Sequence, residues 1–169
     1  SILGDLGFDP LPYYREGPAL SEAYPYAVFS GVREDPFFQT GQRNIAELRQ
    51  RCPVPSIFIH PTDAEKEGLT DGDWVKIQTA YGEVTAKLAV QGSMKQGHLR
   101  VPHGWWYPEL RGKVALAGAF LASDAVVCSD DYEFLDHEQG IPHFKGYPGR
   151  IVKTQKPADF ESSLFAADA

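Results

Sequence analysis

From Asp71 to Val90 the sequence alternates with a period of two. Val75 and Ile77 alternate with Trp74, Lys76 and Gln78. After the turn at Tyr81-Gly82, the apolar Val84, Ala86, Leu88 and Val90 alternate with Glu83, Thr85, Lys87 and Ala89. Successive strand side chains point to opposite faces, so this pattern predicts a hairpin with one buried face. Asp71-Gly72-Asp73 supplies the turn that leads into it.

The flanking segments extend the β reading. Tyr26 to Gly31 and Ser56 to His60 are short apolar strands, and His98 to Val101 follows a turn at Gln96-Gly97. Asn44 to Arg51 reads as a helix capped by Asn44, with Ile45 and Leu48 at apolar spacing and Pro53 closing it. Pro61 to Glu67 reads as a second helix: Pro61 suits its first turn, Asp63 its positive end, and Gly68 stops it. Beyond Gly118 the chain is irregular until Arg150 to Lys153, which would close the sheet. Short strands, glycine turns and brief helices predict a mainly β fold, a small barrel with short helices. Prolines at 10, 12, 18 and 25 disfavour regular structure at the N-terminus, leaving an extended packing arm or a disordered tail. The chain so read divides into an arm (1–25), a barrel (26–155) and a tail (156–169).

Bulk properties narrow the function. A net charge of −7 with no basic run argues against nucleic acid or an anionic membrane as partner. No apolar run approaches the roughly 20 residues needed to span a bilayer, so no membrane insertion is expected. Cys52 and Cys128 form no CxxC pair, which argues against a zinc or iron–sulfur site made by this chain alone. The first residue is not Met, and the start reads as a cut within a longer chain.

No catalytic constellation assembles from the sequence. A GxSxG elbow, an HExxH helix and a P-loop are all missing. Asp136-His137-Glu138 reads as a solvated loop, and Asp130, Asp131 and Glu133 lack EF-hand spacing. Binding signals are better. Pro102-His103-Gly104-Trp105-Trp106 follows a strand directly, and a glycine there lets the backbone approach a ligand. The two indoles form either a rigid plug at a barrel end or a wall for a flat ligand, with His103 and the indole N–H groups as donors. Ser30-Gly31-Val32-Arg33 also leaves a strand end. It is either an ordinary turn or a phosphate contact in which amides approach and the guanidinium forks onto oxygens.

Taken in order, these pieces resemble one family. Pro55 to Ala64, Gly68 to Val75, Gly82 with its alternating strand, Gly97 and His103-Gly104-Trp105-Trp106 are similar to the molybdopterin dinucleotide-binding domain of dimethyl-sulfoxide-reductase-type molybdenum and tungsten oxidoreductases. Ser30 to Arg33 resembles that family's Thr-Gly-Arg strand end, Phe38 to Arg43 the loop after it, and Asp130-Asp131 with Gly140 to Ile151 its tail. The resemblance implies a double-psi β-barrel of the aspartate-decarboxylase-like type and a molybdopterin guanine dinucleotide, two of which hold Mo or W in such enzymes. It implies that Ser30, Gly31, Val32 and Arg33 lie along the pterin–phosphate region. Thr40, Gln42, His103, Gly104 and Trp105 would line the pterin end, and Lys145 would stand near a pterin. Two departures are visible: Ser-Gly-Val-Arg replaces Thr-Gly-Arg, and Asp124 stands near where the family has an Asn that contacts a pterin.

The resemblance also implies partners: the remaining domains of a catalytic chain and an iron–sulfur electron-transfer subunit. No turnover is expected from this segment alone, because the family's metal ligand and cluster cysteines lie on other domains. The wording from His103 to Glu109 resembles the branch that includes acetylene hydratase and the polysulfide and thiosulfate reductases. Two alternatives share the barrel. One is an interaction module without cofactor. The other is a self-processing pyruvoyl decarboxylase, for which Gly92-Ser93 would be the cut site.

Overall fold

The computed structural model describes residues 2–9, 11, 14, 16–136, 139–143 and 145–157. Six strands, β1 (Tyr26–Val32), β2 (Ser56–Ile59), β3 (Trp74–Thr79), β4 (Glu83–Val90), β5 (His98–Pro102) and β6 (Lys145–Lys153), close into a barrel in the order β1-β5-β2-β4-β3-β6. β1 with β5 and β2 with β4 pair in parallel, and the remaining neighbours are antiparallel. The closed barrel with two parallel strand pairs fits the double-psi arrangement that the family resemblance implied, and the small barrel that the residue pattern predicted.

The alternating hairpin is β3–β4, paired from Trp74 opposite Lys87 to Gln78 opposite Glu83. Its apolar set, Val75, Ile77, Val84, Ala86 and Leu88, faces inward and meets Val28, Ile57, Ile59, Leu99, Val101 and Ile151 from the other strands. Burying a side chain of this size contributes about 1.5–3 kcal/mol, and a closed barrel leaves no unpaired edge to solvate. β6 starts five residues before Arg150, where the expected strand began. The proline and two glycines of Lys145–Lys153 hid its first half.

The helices are brief. α1 (Ile2–Asp5) puts one helical turn in a segment expected to be extended. α2 (Ala46–Arg51) begins later than expected: Ile45, not Asn44, is its cap, and no side chain caps it. α3 (Pro61–Lys66) has Pro61 at its first turn and is capped by the His60 ring, whose Nδ1 accepts from the Thr62 amide at 3.1 Å. α4 (Ala119–Ala122) and four short 3-10 turns occupy the stretch between β5 and β6. A second core of Phe37, Trp105, Tyr107, Leu110 and Ala122, with Leu48 and Cys52 against it, joins this stretch to α2. Pro10, Pro12, His137, Glu138 and residues 158–169, which carried expectations about arm, loop and tail, lie outside the described residues.

Candidate functional site

Three strand ends meet at one end of the barrel: the C-terminal ends of β1 and β5 and the N-terminal end of β6. Phe29 pairs with Arg100 and Val32 with Pro102, so β1 advances one residue more than β5 between these points. That extra residue is a bulge, and Gly31 within it takes a φ of 73°, a left-handed conformation suited to glycine. The longer Ser-Gly-Val-Arg wording therefore has a structural outlet. A second register shift on the β6 side sets Lys145 opposite Phe29. Past the bulge, the Val32 carbonyl accepts from the His103 amide at 3.0 Å, and the Arg33 carbonyl accepts from Arg100 at 2.8 Å.

The loop 38–43 lies across the end of β5. Trp106 Nε1 donates to the Thr40 carbonyl at 2.6 Å. Gly104, at a φ of 54°, packs so tightly on Thr40 that a Cβ there would collide with the Thr40 methyl. Gln42 Oε1 accepts from the Phe38 amide at 3.1 Å. Beneath the loop lies Arg43, fully buried, which donates to the carbonyls of Gln39 and Gly41 at 3.0 Å each and of His103 at 2.9 Å. Its guanidinium stacks 4.5 Å from the Phe37 ring and 4.9 Å from the Trp105 ring. Arg49 lies 5.1 Å from the same indole and pairs with Glu109 at 2.8 Å. Glu34 is buried in this group, and burial pushes its carboxyl up to about 7 although Arg43 and Arg100 oppose the shift.

Asp124 joins the two strand ends. Its carboxylate accepts from the Gly31 amide at 2.7 Å, the Gly104 amide at 2.8 Å and His103 Nδ1 at 2.9 Å. Thus Gly31, Val32, Arg33, Thr40, Gln42, His103 and Gly104 come together on one rim. Gly31, Arg33, Thr40, Gln42 and Lys145 are exposed there, Val32 and His103 are half-buried, and Gly104 is buried, with its amide given to Asp124 and Thr40 packed on its Cα.

Three expected contact residues are corrected. Ser30 is only 1% exposed, and its hydroxyl lies 3.4 Å from Cys128 Sγ inside the fold. Trp105 has no exposed surface and fills the second core, so it is the plug and not the wall. Asp124 is 1% exposed and already accepts three protein hydrogens, so it offers no side-chain surface to a ligand. The wall of indole donors fails for Trp106 too, whose N–H is taken by Thr40. Arg43 and Arg49 were missed. Arg49 did leave a trace: with Ile45, Leu48 and Cys52 it falls at the i, i+3, i+4, i+7 spacing of a buried helix face. Arg43 left none, since arginine is ordinarily a surface residue. Among the described residues, no group of three or more His, Cys, Asp or Glu side chains could hold a metal ion. No described helix is long and apolar enough to cross a membrane.

The closed barrel thus carries exposed cations, Arg33 and Lys145, and the polar tips of Thr40 and Gln42 on one rim. The chain belongs to the molydopterin dinucleotide binding domain family, whose model matches residues 28–131. It is 39% identical to acetylene hydratase of Syntrophotalea acetylenica over 92% of this chain and 22% of that protein. It is 28% identical to dopamine dehydroxylase of Eggerthella lenta over 82% of this chain and 13% of that protein. The solved acetylene hydratase from Pelobacter acetylenicus superposes with a TM-score of 0.79 at 36% identity, covering 91% of this chain and 23% of that one. The chain thus spans about a fifth of acetylene hydratase and less of dopamine dehydroxylase. In such relatives the domain is one part of a much larger catalytic chain. The ligand named for this family is a molybdopterin dinucleotide.

Proposed function

We propose that the rim formed by Gly31, Val32, Arg33, Thr40, Gln42, His103, Gly104 and Lys145 is the seat of the cofactor. The domain so loaded serves a molybdenum or tungsten oxidoreductase of the anaerobic dehydrogenase or reductase type. Residues 26–155 are the binding unit, with the arm (1–25) and tail (156–169) outside it, and an iron–sulfur subunit is the electron partner. The observation that carries this reading is the convergence of the β1 bulge, the loop 38–43 and His103-Gly104 on one rim. The residues suit the group. Gly31 is exposed and, lacking a side chain, leaves room for a ligand beside it although its amide is held by Asp124, and the exposed Arg33 supplies a fork for phosphate oxygens. Thr40 and Gln42 bring polar tips, and Lys145 adds a second cation from β6.

When bound, the pterin supplies the metal-holding and electron-transfer chemistry. The chain's residues fix the position and hydrogen bonding of the heterocycle, which sets the metal's orientation and tunes its potential. The test is retention. The chain is purified from cells that make the cofactor, then oxidised, and the fluorescent pterin and released guanine nucleotide are counted. We expect both in the wild type and several-fold less in Arg33→Ala, with unfolding unchanged because Arg33 is exposed. Equal retention in the two proteins refutes the phosphate role of Arg33.

A further inference from the structure

Loop 38–43 holds a large apolar ring out in water: Phe38 is 63% exposed. A single exposed aromatic is ordinary on a protein surface, so exposure alone assigns nothing. What sets Phe38 apart is how firmly its loop is held. Gln39 and Gln42 take left-handed φ values of 52° and 68°, a conformation that residues with a Cβ adopt at a cost. Arg43 offsets that cost by donating to the carbonyls of Gln39 and Gly41, and the Phe38 amide is fixed by Gln42 Oε1. The backbone of Arg33 is fixed as well, by the bond from Arg100 to its carbonyl. Between these two anchored residues, the Arg33 guanidinium carbon lies 5.4 Å from the centre of the Phe38 ring. Arg33 pairs with no carboxylate among the described residues. A cation over a ring face is held by the ring's quadrupole and spends no N–H donor on the contact. The guanidinium thus keeps its planar fork for an anion.

We infer that Phe38 is a positioning residue for Arg33: the loop presents its ring as a rest for the guanidinium, which meets the diphosphate of the ligand with its fork already oriented. The inference rests on the proposed cofactor seat for its ligand but not for the Arg33–Phe38 pair. Phe38 so placed acts through Arg33 and not on the heterocycle. Leucine at this position would keep apolar bulk and lose the quadrupole, whereas tyrosine would keep both.

The test uses the ¹⁵N-labelled chain at mildly acidic pH, where the arginine Nε–H exchanges slowly enough to be seen, with guanosine diphosphate as the probe. Without nucleotide, the ring current should displace the Arg33 Nε–H proton in wild type and Phe38→Tyr relative to Phe38→Leu. With nucleotide, Phe38→Leu should bind about two- to fivefold more weakly, the worth of an exposed cation–π contact, and Phe38→Tyr should bind as wild type does. In the Arg33→Ala background Phe38→Leu should change nothing further. Phe38 is exposed, so these variants should fold. An Arg33 Nε–H unmoved by Phe38→Leu overturns the inference. So does an equal loss in the Arg33→Ala background, which would put the ring on the ligand itself. Failure of the cofactor seat reads differently: wild type would show the ring displacement and bind no nucleotide at millimolar concentration, which would keep the pair and refute its ligand.

Discussion

Replacing Arg43 by Lys keeps the charge and removes the fork. In the structure the guanidinium donates three hydrogen bonds, to the carbonyls of Gln39, Gly41 and His103. A single ammonium on a straight stem cannot reach three carbonyls from the 38–43 loop and the end of β5, and we count two bonds as lost. Hydrogen bonds to charged groups contribute about 1.5–3 kcal/mol each, so the loss is about 3 kcal/mol at the lower end. The flat stacking between Phe37 and Trp105 goes as well, because an ammonium does not stack as a planar guanidinium does. Urea unfolding of wild type and Arg43→Lys measures the difference. Hydrogen exchange shows where it falls: protection should drop in the loop 38–43 and at His103 and stay high in β3 and β4. A loss below about 1 kcal/mol, against the 3 expected from two such bonds, with loop protection intact, would refute the clamp.

Gly104→Ala should cost about 2 kcal/mol, from a left-handed φ on a residue with a Cβ and from collision with the Thr40 methyl. Thr40→Ser removes that methyl, so the double variant should recover part of the loss by thermal unfolding; strict additivity would contradict the collision. Glu34 gives a pH signature. Its folded pKa of about 7 lies above the ordinary 4.5, so its contribution to stability is full below pH 4.5 and is lost as pH rises through 7. Relative to Glu34→Gln, wild type should weaken by about 3 kcal/mol across that window, read by urea unfolding at several pH values. A flat difference would mean that Arg43 and Arg100 hold Glu34 ionised.

The barrel was legible where burial is one-sided. A period of two survives in β3 and β4 because one face of each is packed and the other wet, and the hairpin follows from those residues alone. β6 was half hidden, since Gly146, Pro148 and Gly149 carry no alternation, yet the strand forms because β1 and β3 pair with it. The cap of α2 went to Ile45 because the turn before it is set by the loop 38–43, whose Gln42 carbonyl accepts from the Ile45 amide at 3.0 Å, and not by the side chain of Asn44. At the candidate site, the glycines and exposed cations were legible in the sequence because strand ends and turns mark their places locally. Trp105 and Asp124 read as ligand contacts because the sequence places them at the rim, but only the fold shows the second core that takes the indole and the two amides that claim the carboxylate. Buried arginines are harder still: Arg43 depends on three carbonyls, one of them 60 residues away.

The most direct test of the cofactor seat is a backbone footprint. Guanosine diphosphate, as a probe for the nucleotide half of the cofactor, is titrated into the ¹⁵N-labelled chain while amide shifts are followed. We predict movement at Gly31, Val32 and Arg33, the residues assigned to the phosphates, with Ala27, Thr62 and Gly97 at the opposite end still. Shifts centred on that opposite end, or none at millimolar nucleotide, would contradict it.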